Sequence, residues 1–180
     1  VPGMIAVVQS TAGSVDNIRR IADGTLDSGF AQADVAYWAH KGTGLFADAG
    51  PIQGLRAIAN LYPEAVHLVV RDDAQVRSVP DLAGKRVSLD RAGSGTRVDA
   101  ELVLGAYGLE PDDLRVSDLP AGPAADAVRA GELDGFFFVA GTPANAVANL
   151  ARDLAIRLVP IDGPPAEKLQ SDYPFFAPHL

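Results

Sequence analysis

The stretch VSLDRAGSGTRVDAELVLGAYGL, residues 87–109, decides how the rest of the chain is read. Val87, Ser88 and Leu89 form a short β-favouring run that breaks at Asp90. Arg91-Ala92-Gly93-Ser94-Gly95-Thr96 then leads into helical spacing. A strand–turn–helix joint of this kind leaves backbone N–H groups unpaired at the helix start, with the positive end of the helix dipole behind them. Such a turn is a ready seat for an anion. The open question is which anion, and whether the protein does chemistry on it.

Outward from this joint the pattern alternates. Residues 4–8 favour a strand and residues 10–14 a turn; residues 15–22 have helical spacing, with Ile18 and Ile21 on one face, Ser14 as N-cap and Gly24 as the stop. Residues 28–31 read as a strand and 34–40 as a helix ending near Gly42-Thr43-Gly44. Strands are expected over 55–61 and 65–70, and a brief turn or helix over 79–82. Beyond residue 109, strands are expected over 114–117, 135–139 and 155–160, and helices over 124–130 and 143–150. Alternating helix and strand predicts an α/β fold with mostly parallel sheets.

The segment RIADGTLDSGF, residues 20–30, is echoed by VRAGELDGF, residues 128–136. Each is a helix end, a glycine stop, x-Leu-Asp and then a strand. Any α/β protein reuses such joints; the sharper reading is two lobes of similar build whose strand ends face a shared cleft, where open α/β sheets bind ligands.

Composition narrows the function classes. Of 180 residues, 48% are hydrophobic and 21% charged, which suits a globular chain with room for one large domain or two small lobes. The formal charge of −8 argues against sequence-independent nucleic-acid binding, which needs a basic stripe. It leaves a small anion possible, because a local nest of N–H groups outweighs distant charge. Cysteine is absent, so thiolate metal sites, disulfides and a cysteine nucleophile drop out. No apolar run approaches membrane-span length and no stretch reads as a signal peptide. Val1-Pro2-Gly3 and the closing Phe175-Phe176-Ala177-Pro178-His179-Leu180 both read as chain interior.

The turn at 91–96 fails the nucleotide patterns. A triphosphate loop needs Lys near its end, where this chain has Arg97, and the dinucleotide pattern meets Val98 at its third glycine. A nucleophile elbow around Ser94 needs glycine at 92 and 96, which hold Ala92 and Thr96. His40, His67 and His179 are the available imidazole bases, and none has a triad-like neighbourhood; His67, in an apolar run, reads as structural. Asp72-Asp73 and Asp112-Asp113 are turn pairs rather than metal ligands, so no metal or cofactor is expected. A carboxylate remains: Ser94, Thr96 and the N–H groups of the helix start match its geometry and charge. A plain N-cap needs only one of those hydroxyls. The seat must open toward a cleft to work.

Six patches resemble the TAXI family of TRAP-transporter solute receptors, in the family's order over nearly the whole chain. They are STAGSVDN (10–17), GFAQADVAY (29–37), LYPE (61–64), GSGTR (93–97), FFVAGTP (137–143) and YPFF (173–176). The resemblance implies a type II periplasmic binding fold, with two α/β lobes around a cleft. It further implies a periplasmic or otherwise extracytoplasmic receptor, without catalysis, that hands a small carboxylate such as glutamate to an ion-driven TRAP permease. Ser88-Leu89-Asp90 followed by Gly-Ser-Gly-Thr is more distantly similar to the turn that holds the distal carboxylate of glutamate in ionotropic glutamate-receptor cores.

Three departures matter. The family's earlier strand and its glycine- and tyrosine-rich loop have no counterpart here, and neither does its return beyond Phe176. The loop Val139-Ala140-Gly141-Thr142 also lacks the carboxylate that would meet a ligand amine, which leaves room for a plain carboxylate or dicarboxylate. The chain is therefore expected to hold part of lobe I (1–70), lobe II (71–165) and the start of a return segment (166–180). Hinges are expected at Val69-Val70-Arg71 and at 161–165. An incomplete lobe I would favour self-association through unpaired strand edges.

These readings converge on one expected site. Ser94, Gly95 and Thr96 take the ligand carboxylate. Gln32 and Asp34 meet its other polar end or cap their own helix, and Tyr37 walls the cleft or packs. Ala140 and Gly141 let a ligand pass close to backbone, and Ser14 and Asn17 reach in from lobe I. Arg97 is expected to pair with Glu101 at i, i+4 rather than to join the ligand. The rival readings are a ligand-binding sensor input domain and a serine-dependent hydrolase using Ser94.

Overall fold

The architecture, taken from a computed structural model, is described for residue 3 and residues 5–178. In chain order the elements are α1 (Ser14–Ala22), α2 (Ala33–Lys41), β1 (Ala65–Arg71), β2 (Arg86–Ser88), α3 (Gly95–Ala106), β3 (Arg115–Ser117), α4 (Ala121–Arg129), β4 (Gly135–Ala140), α5 (Asn145–Asp153), β5 (Ile156–Leu158) and α6 (Gly163–Asp172). All five strands join one sheet in the order β3-β2-β4-β1-β5.

The sheet is mixed. β2 pairs parallel with β3 and β4, whereas β1 pairs antiparallel with β4 and β5. Four strands thus share one direction, and β1 is inserted against them. Its exit explains why. Parallel neighbours need a crossover across the sheet face, but residues 72–85 hold only two 3-10 turns and return the chain to β2 from the same end. The expectation of a mostly parallel sheet holds for strand direction and fails at the two β1 ladders.

Alternation along β1 and β4 divides the core into two layers. Leu68, Val70 and Phe137 face α3 and α6, packing with Val87, Leu89, Ala100, Val103, Leu104 and Leu169. Val69 and Phe136 face α4 and α5, against Ala124, Val128 and Leu150. A third cluster docks α1 and α2 on the flank of α3: Val15, Ile18, Val35, Trp38, Ala39 and Phe46 meet Val98, with Leu102, Tyr173 and Phe175 closing over them. Trp38 stands edge-on to Phe175 at a centroid distance of 5.3 Å.

The N-terminal strands do not form. Met4 lies outside the described residues, and residues 5–8 carry no strand, with Ile5, Val7 and Val8 exposed. Residues 28–31 and 55–61 are likewise irregular. β propensity measures fit to a pleated, half-buried surface, and these segments have no ladder partner to supply one. Of the echoed pair, residues 20–30 keep the helix end and the Gly24 stop (φ 80°), but only 128–136 continues into a strand, β4. Val69, Val70 and Arg71 pair with β5, and Val69 and Val70 with β4 as well, so the expected hinge there lies inside the sheet.

Candidate functional site

The joint at residues 87–109 folds as read: β2, a turn, then α3. Asp90 (φ 72°) and Gly93 (φ 87°) take left-handed backbone to turn the chain back onto the sheet. Ser94 is the N-cap of α3, its Oγ accepting the Arg97 N–H at 3.0 Å. Thr96 Oγ1 accepts the Val139 N–H at 3.2 Å and so fixes the helix start to the end of β4. Arg97 sits where the dipole disfavours a cation, and two carboxylates hold it there: Glu101, as expected, and Asp118, each at 2.5 Å.

This helix start is not open. Ser94, Gly95 and Thr96 are all buried, and the cover comes from the N-terminal helices. The Val15 N–H donates to Gly93 O at 3.1 Å. Gly13 (φ 128°) lies so close that a Cβ there would stand 2.9 Å from Ser94 Cα. The Gln32 N–H donates to Ser14 Oγ at 3.1 Å, and Gln32 Nε2 donates to Asp99 Oδ2 at 3.0 Å. Gln32 Oε1 rests against Gly95 so tightly that a Cβ on residue 95 would overlap it. The expectation of a seat facing an opening is therefore corrected. The starts of α1, α2 and α3 meet, and the Gln32 carboxamide lies over the first turn of α3. Only the rim, Ala92 and Gly93, borders open depressions of ≈ 240 and ≈ 310 Å³, both lined by Arg19.

Beneath Gln32 lies an acidic pair. Asp34, at the start of α2, and Asp99, in the second turn of α3, are both buried, and each carboxyl acts on the other. Asp34 Oδ2 and Asp99 Oδ1 find no donor among the described residues. Burial, together with the Asp34 charge, pushes the Asp99 carboxyl up to about 9, against the lowering effect of the Gln32 amide. Burial raises Asp34 too, and Glu64 is raised by burial and by Asp34. Two acids this close in a dry site cannot both ionise. The sequence reading missed Asp99 and Glu64. The signal for Asp99 was present: it stands on the face of α3 that carries Ala100, Val103 and Leu104, where a lone carboxylate needs a partner.

The structure gathers Ser14, Gln32, Asp34, Ser94, Gly95 and Thr96 around this junction. One of these plays another part than expected, and the remaining candidates point elsewhere. Ser14 is not the α1 cap, a position held by Gly13; its hydroxyl serves Gln32 instead. Asn17 Nδ2 donates to Phe30 O at 2.8 Å, holding the irregular segment before α2. Tyr37 is exposed and leans on Phe175 at 6.0 Å. Ala140 pairs with Ala65 at the end of the β1 ladder, and a Cβ on Gly141 would touch the Tyr62 ring at 3.4 Å. His67 Nδ1 is 3.1 Å from Phe138 O, a structural contact, and His179 lies outside the described residues. Among the described residues no group of three His, Cys, Asp or Glu is placed to hold a metal, and no helix is long and apolar enough to cross a membrane.

A family model described as the NMT1-like family matches residues 2–180. Among solved structures, the alkanesulfonate-binding protein of Xanthomonas axonopodis pv. citri bound to MOPS is 23% identical, covers 83% of this chain and 48% of its own length, and superposes with a TM-score of 0.52. The periplasmic aliphatic sulphonate binding protein of Escherichia coli is 21% identical over 53% of this chain and 31% of its own, at a TM-score of 0.45. The holo arginine-binding protein of T. maritima is 24% identical over 58% and 44%, at 0.40. The chain spans about half or less of each of these proteins. The shared fold is the mixed α/β fold of type II periplasmic binding proteins.

Proposed function

The chain belongs to the NMT1-like family, and from that footing we propose that it is an extracytoplasmic solute-binding receptor of a TRAP-type (TAXI) transporter. Its cargo in this reading is a small carboxylate-bearing solute such as glutamate or a related dicarboxylate, delivered unaltered to an ion-driven permease. The division into lobe I (1–70), lobe II (71–165) and a return segment from 166 belongs to the same proposal. The observation that carries it is the meeting of three helix starts, α1, α2 and α3, around one side-chain carboxamide.

The geometry supports a specific course of binding. Helix starts present unpaired N–H groups and partial positive charge. Here the Gln32 carboxamide oxygen fills the position a carboxylate oxygen would take over Gly95. Movement of α1 and α2 away from α3 uncovers Gly95 and Thr96, an acid takes the place of Gln32 Oε1, and closure buries it. Each charge-assisted hydrogen bond formed this way contributes about 1.5–3 kcal/mol. The hydrolase reading of Ser94 loses support, because its Oγ is committed as an N-cap and the imidazole of His67 is bound to Phe138 O.

Calorimetric titration with glutamate, glutamine, 2-oxoglutarate, C4 dicarboxylates and a short alkanesulfonate tests the proposal. Heat with a carboxylate supports it. Heat with the sulfonate alone replaces the carboxylate by another acid, and no heat or thermal shift from any of them removes acid binding.

A further inference from the structure

We propose that Asp34 and Asp99 form a proton-linked latch between the N-terminal helices and the sheet-bearing part of the chain: docking of α1 and α2 on α3 traps one proton between the two carboxyls, so rising pH undocks them. This goes beyond solute capture and does not depend on which solute the cleft takes.

The geometry of the pair is the argument. Asp34 belongs to α2 and Asp99 to α3, so their contact exists only while those helices are docked. Each residue is at least 96% buried, and each keeps one oxygen with no donor among the described residues. Two neighbouring buried carboxyls, each lacking a donor on one oxygen, would be satisfied together by a single shared proton, which turns one of them into the donor. The remaining contact is already neutral: the Gln32 amide donates to the other oxygen of Asp99. Among the described residues no cation balances the pair. Arg97, on the same helix, is taken by Glu101 and Asp118. On α1, Arg20 pairs with Asp16, and Arg19 is exposed and lines the depressions beside Gly93. Glu64, before β1, adds a third acid whose own carboxyl is raised by burial and by Asp34. On the other elements packed against α3, β4 carries no titratable side chain, β1 presents His67 at Phe138 O, and α6 holds Lys168 with Asp172, followed by Tyr173.

Linkage gives the sign. Docked, the pair keeps its proton up to about pH 9, the raised value at Asp99; undocked and solvated, it releases that proton near the ordinary 3.8. Between those limits the docked form binds one proton more, so docking is strongest in acid and weakens by up to about tenfold per pH unit as pH rises.

Hydrogen exchange of the α1 and α2 amides, corrected for the intrinsic pH dependence of exchange, tests this on the intact chain between pH 5 and 8. The expected result is a protection factor in α1 and α2 that falls toward tenfold per pH unit in the wild type. In Asp99→Asn and in Asp34→Asn, where an amide supplies a permanent donor, protection stays but the slope is lost. Emission of Trp38, the single tryptophan, gives an independent reading on α2. A wild type whose protection is flat with pH, or a slope that survives in both variants, overturns the latch.

Discussion

Gln32, the N-cap of α2, and Asp99, in the second turn of α3, are joined by a 3.0 Å hydrogen bond from amide to carboxyl, and the same carboxamide turns its oxygen onto Gly95. One side chain thus satisfies a buried acid and covers the first turn of α3. This double contact holds the candidate acid seat shut.

Gly95 has no need of glycine for its own backbone angles, since it begins an ordinary helix; its lack of a side chain serves Gln32. Gly95→Ala should therefore destabilise the protein by about 1–2 kcal/mol as the carboxamide is forced off Asp99. In a Gln32→Ala background the same change should cost clearly less, because only Ser14 Oγ, 3.0 Å from the added Cβ, still has to give way. Denaturant unfolding of the four members of the cycle gives the coupling directly; equal costs in both backgrounds would show that Gln32 is not what residue 95 meets.

Thr96 accepts the Val139 N–H, the tie between α3 and the end of β4. Thr96→Val leaves that N–H without an acceptor and should cost about 1–3 kcal/mol, whereas Thr96→Ser keeps the hydroxyl and should cost well under half as much. Thermal unfolding of the two variants distinguishes them.

Ser94 separates stability from binding. Ser94→Ala removes the α3 cap and should lose about 0.5–2 kcal/mol, while Ser94→Asp keeps a good capping oxygen and should be nearly as stable as wild type. If the seat receives an acid, the added negative charge repels it, so Ser94→Asp should bind at least tenfold more weakly than wild type by calorimetry. A folded Ser94→Asp with unchanged affinity would place the ligand elsewhere.

Asp134 acts in the opposite pH direction to Asp99. Hydrogen bonds from the Arg86 guanidinium and backbone N–H hold its carboxyl below the ordinary value. Its contribution is therefore present above about pH 4 and lost as pH falls through the lowered value. Asp134→Asn should cost about 1 kcal/mol at pH 7, the pair being partly exposed, and the difference from wild type should shrink as pH falls through that lowered value. Urea midpoints measured from pH 2.5 to 7 check the sign.

Local chemistry made much of the molecule legible in the amino-acid sequence. The strand–turn–helix at 87–109, the α1 and α2 helices and the Arg97–Glu101 pair are fixed by spacing, capping and i, i+4 chemistry within a few residues. What failed was non-local. Residues 28–31 and 55–61 carry strand-favouring side chains but have no neighbour to pair with, and periodicity holds no record of a missing partner. The antiparallel run of β1 depends on how residues 72–85 return, not on β1 itself. At the site, Gln32, Asp34, Ser94 and Gly95 stand out individually, but the sequence contains nothing to show that Gln32 lies on Gly95. Asp99 is legible only through its face: it shares the apolar side of α3 with Ala100, Val103 and Leu104, and a carboxylate in a helix otherwise reads as solvated.

The central claim is that an acid binds over the first turn of α3, in place of the Gln32 carboxamide. Its most direct measurement is the backbone amide NMR spectrum of the chain during titration with whichever acid shows calorimetric heat. The account predicts that the Gly95 and Thr96 N–H resonances shift most, with the Gln32 side-chain amide moving in step and saturating at the same concentration. Saturable binding that leaves Gly95, Thr96 and Gln32 unmoved would contradict it.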